Sequence, residues 1–162
     1  MTLKMTPKTH IKEWYDFFLQ TIIFTLGIIY IAYKYGTDNL FVFYIFLGIQ
    51  FVPTAYLHIM YYLENKGEEY SIEKNKIIRI KGGKREIYSA NDIKRIVICM
   101  SASQEGWGIP YTTFETFRLA RVYLNDGTVF IITNLLEHDI EKPLRTLQNV
   151  KFEKRKGFSF FI

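Results

Sequence analysis

The sequence predicts a membrane α-helical hairpin followed by an α+β domain of antiparallel strands closed by a C-terminal helix. Three observations carry that prediction. Two long runs, Phe17 to Tyr33 and Leu40 to Leu63, contain no Asp, Glu, Lys or Arg. The connector between them, Lys34 to Asn39, is long enough only for a reversal. From Glu69 onward the hydrophobic period falls to two, as in half-buried strands.

Whole-chain averages hide this division. The 162 residues carry a net charge of +5, at a mean hydropathy of zero. Between Phe17 and Leu63 only Lys34 and Asp38 are charged, whereas residues 64–162 hold 17 of the 21 Lys+Arg and 13 of the 16 Asp+Glu. A modest cationic excess on a mixed-sign surface suits the cytosolic face of an anionic membrane better than nucleic acid. Cys99 is the only cysteine, so no intrachain disulfide forms and a reducing compartment is expected.

The first run has seventeen residues and reaches ~26 Å as a helix, close to the ~30 Å hydrocarbon core. The second has twenty-four and crosses with some tilt. Trp14, Tyr15, Tyr33 and Tyr35 bracket the first run and Tyr61 and Tyr62 close the second, at headgroup level. Lys4, Lys8 and Lys12 precede the hairpin and Lys66, Lys74, Lys76, Arg79 and Lys81 follow it, against Lys34 alone in the loop. By the positive-inside rule both termini are cytoplasmic and the chain is an integral, multi-pass protein of the cell membrane. The chain therefore divides into a cytoplasmic N-terminal segment (1–16), the hairpin (17–63), the β domain (64–149) and a basic-aromatic tail (150–162). Within the spans, Gln50 is expected to hydrogen-bond Thr21 or Thr25, Gly27 and Gly48 to let the helices approach, and Pro53 to kink the second. The absence of charge inside either span argues against an ion pathway.

In the domain, Glu69 to Lys74 and Ile77 to Lys81 alternate on either side of Asn75-Lys76, and Lys84 to Tyr88 follows Gly82-Gly83. Ile93 to Met100, Phe117 to Leu124 and Thr128 to Thr133 complete six strands, the last two joined through Asp126-Gly127. A closing helix is expected from about Leu136 to Asn149, capped by Asn134, with Ile140, Leu144 and Leu147 on one face and Pro143 a poor fit inside it.

Antiparallel strands followed by one helix is the order of a pleckstrin-homology (PH) fold. The passages Glu69-Tyr70-Ser71-Ile72, Ile87-Tyr88-Ser89-Ala90-Asn91-Asp92-Ile93 leading into Arg95-Ile96, and Leu124-Asn125-Asp126-Gly127-Thr128 resemble bacterial PH-like domains. The resemblance is nearest to the YcxB-like membrane proteins, which place two transmembrane helices before the domain. It implies an antiparallel β sandwich or barrel with a C-terminal helix, and it carries no catalytic signature.

Candidate contacts follow. Lys74, Lys76, Arg79 and Lys81 in the first hairpin, and Lys154, Arg155 and Lys156 in the tail, are expected to meet anionic lipid at about 1 kcal/mol per residue. The Phe cluster of the tail is expected to join them at the interface; alternatively Phe158 to Ile162 adds a β segment to the domain. In the long loop 101–116, Trp107, Tyr111 and Phe114 are candidate anchors for a partner. His10, His58 and His138 lack metal-ligand spacing, Cys99 sits in an apolar strand, and no glycine loop suits phosphate. The expectation is a membrane-anchored cytoplasmic interaction module, structural or regulatory, contacting a protein partner or membrane lipids. No catalysis, metal, cofactor, nucleic acid or small-molecule substrate is expected. The alternative is a small transporter or transporter accessory subunit, with homo-oligomers forming through the helices.

Overall fold

The computed structural model describes every residue outside 37–39 and 105–111. The first element is a strand, β1 (Thr2–Lys4), which no alternation or turn residue marks in advance. The helix α1 (Pro7–Tyr35) then begins ten residues before the apolar run. Thr6 explains the early start: its hydroxyl accepts from Thr9 N at 3.2 Å, Thr9 Oγ1 accepts from Thr6 N at 3.0 Å, and Pro7 occupies the first turn, where no N–H is needed. The second helix, α2 (Leu40–Asn65), runs through Pro53. At 29 and 26 residues the two are ~44 and ~39 Å long.

Gly67, at φ +73°, turns the chain from α2 into the domain. There follow β2 (Glu68–Glu73), β3 (Lys76–Lys81), β4 (Lys84–Ser89), β5 (Ile93–Cys99), β6 (Leu119–Leu124) and β7 (Val129–Thr133), all within two residues of the six expected strands. Then come a short helix, α3 (Glu141–Leu144), and an eighth strand, β8 (Phe152–Arg155). One sheet has the order β1-β2-β3-β4 and the other β7-β6-β5-β8. β1 is antiparallel to β2, with Leu3 opposite Tyr70, so the whole helical hairpin is inserted between two neighbouring strands of one sheet. Residues 1–16 are therefore a strand and the first turns of α1, not a separate segment.

The inward faces of the two sheets meet in one core, where Leu3, Tyr70, Ile72, Ile77, Ile96, Ile98, Val122 and Ile132 pack together. Each such side chain contributes ~1.5–3 kcal/mol of burial. Ile140, Leu144 and Leu147 plug this core, as their spacing predicted. The fourteen-residue helix expected around them is absent. Pro143 lacks an N–H and its ring crowds the carbonyl four residues back, so only one helical turn forms and the chain continues in tight turns to Asn149, at φ +61°. Asn134 does not cap a helix. It is buried and its amide donates to Glu13 on α1.

The tail also departs from expectation. β8 pairs parallel to β5, Ile96 opposite Phe152, and Phe160 is buried. The β segment expected at Phe158 to Ile162 does not form; Phe158–Phe160 is a short 3-10 turn, and the strand the tail adds lies at Phe152–Arg155 instead. Removing residues 154–162 would strip half of that strand and a core side chain.

Candidate functional site

β5 reads Ile96-Val97-Ile98-Cys99 without alternation because both its faces are covered. Ile96 and Ile98 face the sandwich. Val97 and Cys99 face the other way and join Phe117, Leu119, Leu135 and Phe160 in a second cluster with Leu57 and Tyr61 of α2. The lower half of α2 is thus a layer of the domain, and the hairpin is docked on it rather than tethered by a flexible link.

Polar contacts fasten this seam. The Tyr61 hydroxyl donates to the Phe160 carbonyl at 2.6 Å. Higher on α2, Gln50 Oε1 accepts from Thr113 N at 3.0 Å, and the Thr113 and Thr54 hydroxyls lie 2.6 Å apart. Gln50 therefore bonds to the domain, not to Thr21 or Thr25. Gly27 and Gly48 have open space at their Cβ positions, so neither marks a close approach; the helices meet instead at Phe24 and Phe46, 4.3 Å between ring centroids. On α1, Glu13 is buried and takes the Asn134 amide at 2.5 Å and His138 Nδ1 at 2.8 Å. His138 is thus a docking residue. His10 and His58 face each other at 3.1 Å across α1 and α2.

At the end of α2, Asn65 acts as a surrogate strand. Its Nδ2 donates to the Ile131 carbonyl and its Oδ1 accepts from Thr133 N, both at 2.8 Å, pairing the free edge of β7. Asn65→Ala leaves the buried Thr133 N–H unpaired and the Ile131 carbonyl with only the Tyr70 hydroxyl at 3.5 Å, and is expected to cost about 1–3 kcal/mol. Thermal unfolding in detergent checks it: the midpoint should fall, and Asn65→Asp should recover only the Thr133 half.

Beside Asn65, Glu68 is 1 % exposed and surrounded by donors: Arg79 at 2.6 Å, Lys81 at 2.7 Å and the Tyr70 hydroxyl at 2.5 Å. Burial by itself would raise its pKa, but the hydrogen bonds from Arg79, Lys81 and Tyr70 outweigh burial and hold the carboxyl below its ordinary range. Burial pushes the Tyr70 hydroxyl strongly up, and the bond to Glu68 adds to it. For Arg79, burial opposes the charge, yet Glu68 holds it charged above the usual arginine value.

The structure divides the cations expected to act together. Lys81 lies opposite Glu68 at the foot of α2, whereas Lys76 pairs with Glu73 at the far end of the same strands, ~17 Å away by strand rise. Lys74 is exposed beside it. Arg79 is turned onto the Tyr70 and Phe130 rings and also reaches Glu86, so it is a structural ion-pair residue and not a lipid contact. In the tail, Lys154 pairs with Glu141 at 3.1 Å, Arg155 lies in β8 and Lys156 is exposed. Trp107 and Tyr111 lie outside the described residues, and Phe114 packs half-buried on the second cluster. Among the described residues no group of three His, Cys, Asp or Glu could hold a metal ion.

Two features passed over in the sequence lie at the foot of α1. A cavity of about 320 Å³ opens between β1, the first turns of α1 and the loop after β7, with Lys4, Lys8, Lys12, Thr9 and Glu137 among its walls. A second, apolar hollow of about 400 Å³ continues from the same Lys8 and Lys12 to Ile11 and Tyr15. The signal was present as lysines spaced i, i+4 on one helical face.

No curated protein and no solved structure matches the chain. A protein-family model described as PH domain matches residues 2–140, from the first residue of β1, through both helices and seven strands, to the start of α3. Two sheets of four strands with the expected hairpin order agree with it, and the chain belongs to the PH domain family.

Proposed function

We propose that this PH-domain protein is a membrane-anchored, cytoplasmic interaction module of the YcxB-like kind, structural or regulatory rather than catalytic. Its domain meets a protein partner or the anionic membrane surface. The observation that carries the reading is the surface of the hairpin. Ile22, Ile23, Leu26 and Ile29 on α1, and Phe41, Tyr44, Ile45 and Ile49 on α2, are all exposed. Apolar helices inside soluble proteins are mostly buried, whereas here the most apolar eighteen-residue stretches are 6 % and 17 % buried. Such a surface calls for hydrocarbon around it.

The pairing of β1 with β2 supports an even number of crossings, because both ends of the hairpin must enter one sheet. The lysine distribution supports the cytoplasmic side for that sheet. The turn Thr113–Thr116 meets α2 at Gln50, and irregular backbone is not left facing lipid. On that side of α2 the domain, not lipid, therefore covers Gln50. Lys74, Lys81 and Lys156 are exposed on it for contact with lipid phosphates, and Lys76 is half-buried beside Glu73. Gln50, occupied by the domain, gives no polar seam for a transport path.

Alkaline carbonate extraction of native membranes tests the anchor. The chain is expected in the pellet and in the detergent-soluble fraction; release by carbonate alone would overturn the proposal. Crosslinking in the same membranes then reads the partner.

A further inference from the structure

We infer that the foot of α1 is a binding site for one anionic glycerophospholipid, phosphate in the polar cavity and an acyl chain in the apolar hollow beside it. The inference rests on the membrane reading above. Lys4 is occupied by Glu69. Lys8 and Lys12, by contrast, have no acidic partner among the described residues, though they stand one turn apart on an exposed helix face. They are also the residues common to both cavities. Lysines that wall both an apolar and a polar hollow, each with a long methylene stem ending in an ammonium group, suit an amphiphile.

With Lys4 paired to Glu69, the polar cavity is left with Lys8, Lys12 and Thr9 against the single carboxylate of Glu137. Its wall also includes His138, held from behind by Glu13. That excess selects an anion. The apolar hollow selects what the anion is attached to. Ile11 and Tyr15, which wall it, are 67 % and 62 % exposed and lead up α1 toward Phe18 and Ile22, the lipid-facing stripe. A soluble phosphate would leave this hollow empty, whereas a phospholipid fills both from the adjoining leaflet. The site lies on β1, α1 and the loop after β7, distinct from the β2–β3 turn where Lys74 and Lys76 sit.

The test uses the full chain purified in detergent and read by native mass spectrometry after exchange into equal phosphatidylglycerol and phosphatidylcholine. One phosphatidylglycerol is expected to be retained preferentially, and Lys8→Gln/Lys12→Gln to lower that preference about 25-fold, at about fivefold per lysine near a phosphate. Both side chains are exposed, so the unfolding midpoint should not move. Lys74→Gln/Lys76→Gln should leave the preference intact. Equal retention of the two lipids, or an equal loss in the Lys74/Lys76 variant, overturns the site. Displacement of the lipid by millimolar inorganic phosphate, with the hollow left open, overturns the lipid as its ligand. Failure of the anchor itself appears separately, as release by carbonate; a chain that stays in the membrane without lipid preference loses this inference alone.

Discussion

Glu68→Ala is expected to lower stability by about 3–5 kcal/mol, the cost of leaving a buried charge without its partner. The charge left behind is Arg79, 16 % exposed, held over two aromatic rings and keeping only the longer 3.6 Å contact to the more exposed Glu86. Lys81, 58 % exposed, returns to water at little cost, so Arg79 dominates. At ~2–4 °C per kcal/mol for a chain of this length, the thermal midpoint should drop by roughly 10 °C. A midpoint within 2 °C of wild type would sink the claim. The pH dependence follows from the same site. The pKa of Glu68 in the folded chain lies below its ordinary value of 4.5, so its contribution is complete above that value and is lost as pH falls through the folded one. Between about pH 5 and pH 3 the wild type should therefore lose more stability than Glu68→Gln, which cannot titrate there. Parallel curves would mean that Glu68 gains nothing from its neighbours.

The second large effect is expected at the N-terminus. Leu3 is fully buried in the sandwich core, and Leu3→Ala should cost about 2–5 kcal/mol. Deleting Thr2–Lys4 should cost more, because it also exposes the edge of β2 and removes the bond from the Met1 amine to the Ile72 carbonyl. Limited proteolysis and thermal unfolding read both changes. An unaffected deletion would mean that the first residues are a dispensable leader. By the same reasoning, a fragment starting at residue 64 lacks β1 and the α2 layer, and should expose Val97, Leu119 and Phe117 to water.

What could be read from the sequence was whatever had a period. Six strands and two helices announced themselves through alternation, turn residues and long uncharged runs. Their pairing order followed within β2-β3-β4 and within β5-β6-β7, where consecutive strands are neighbours, whereas β4 and β5 part into different sheets. What escaped were elements whose partners are remote. β1 has three residues and one apolar side chain, so no window recognises it, and its partner lies beyond two helices. β8 is polar at Glu153, Lys154 and Arg155, and exists because β5 offers an edge. The docking seam escaped for the same reason, though one sign stood in view: an apolar run with no alternation at Ile96 to Met100 asks for cover on both faces. The candidate site was legible as cations and illegible as geometry. Arg79 and Lys81 were visible as basic residues, but the carboxylate that binds them inside the sheet was not. Lys8 and Lys12 were read only as markers of orientation, because the cavity they wall is closed by residues 136–138.

The insertion of the hairpin between β1 and β2 also has a meaning in time. Some 64 residues are made between Lys4 and Glu68, which at ~5–20 residues per second is roughly 3–13 s of synthesis. Through that interval the leading strand has no neighbour to pair with, and the sheet stays open until both helices have been made. A completed domain is thus a record that the hairpin has turned back: a chain whose second helix failed to return alongside the first would hold Leu3 and Tyr70 apart and leave the β2 edge exposed to proteases.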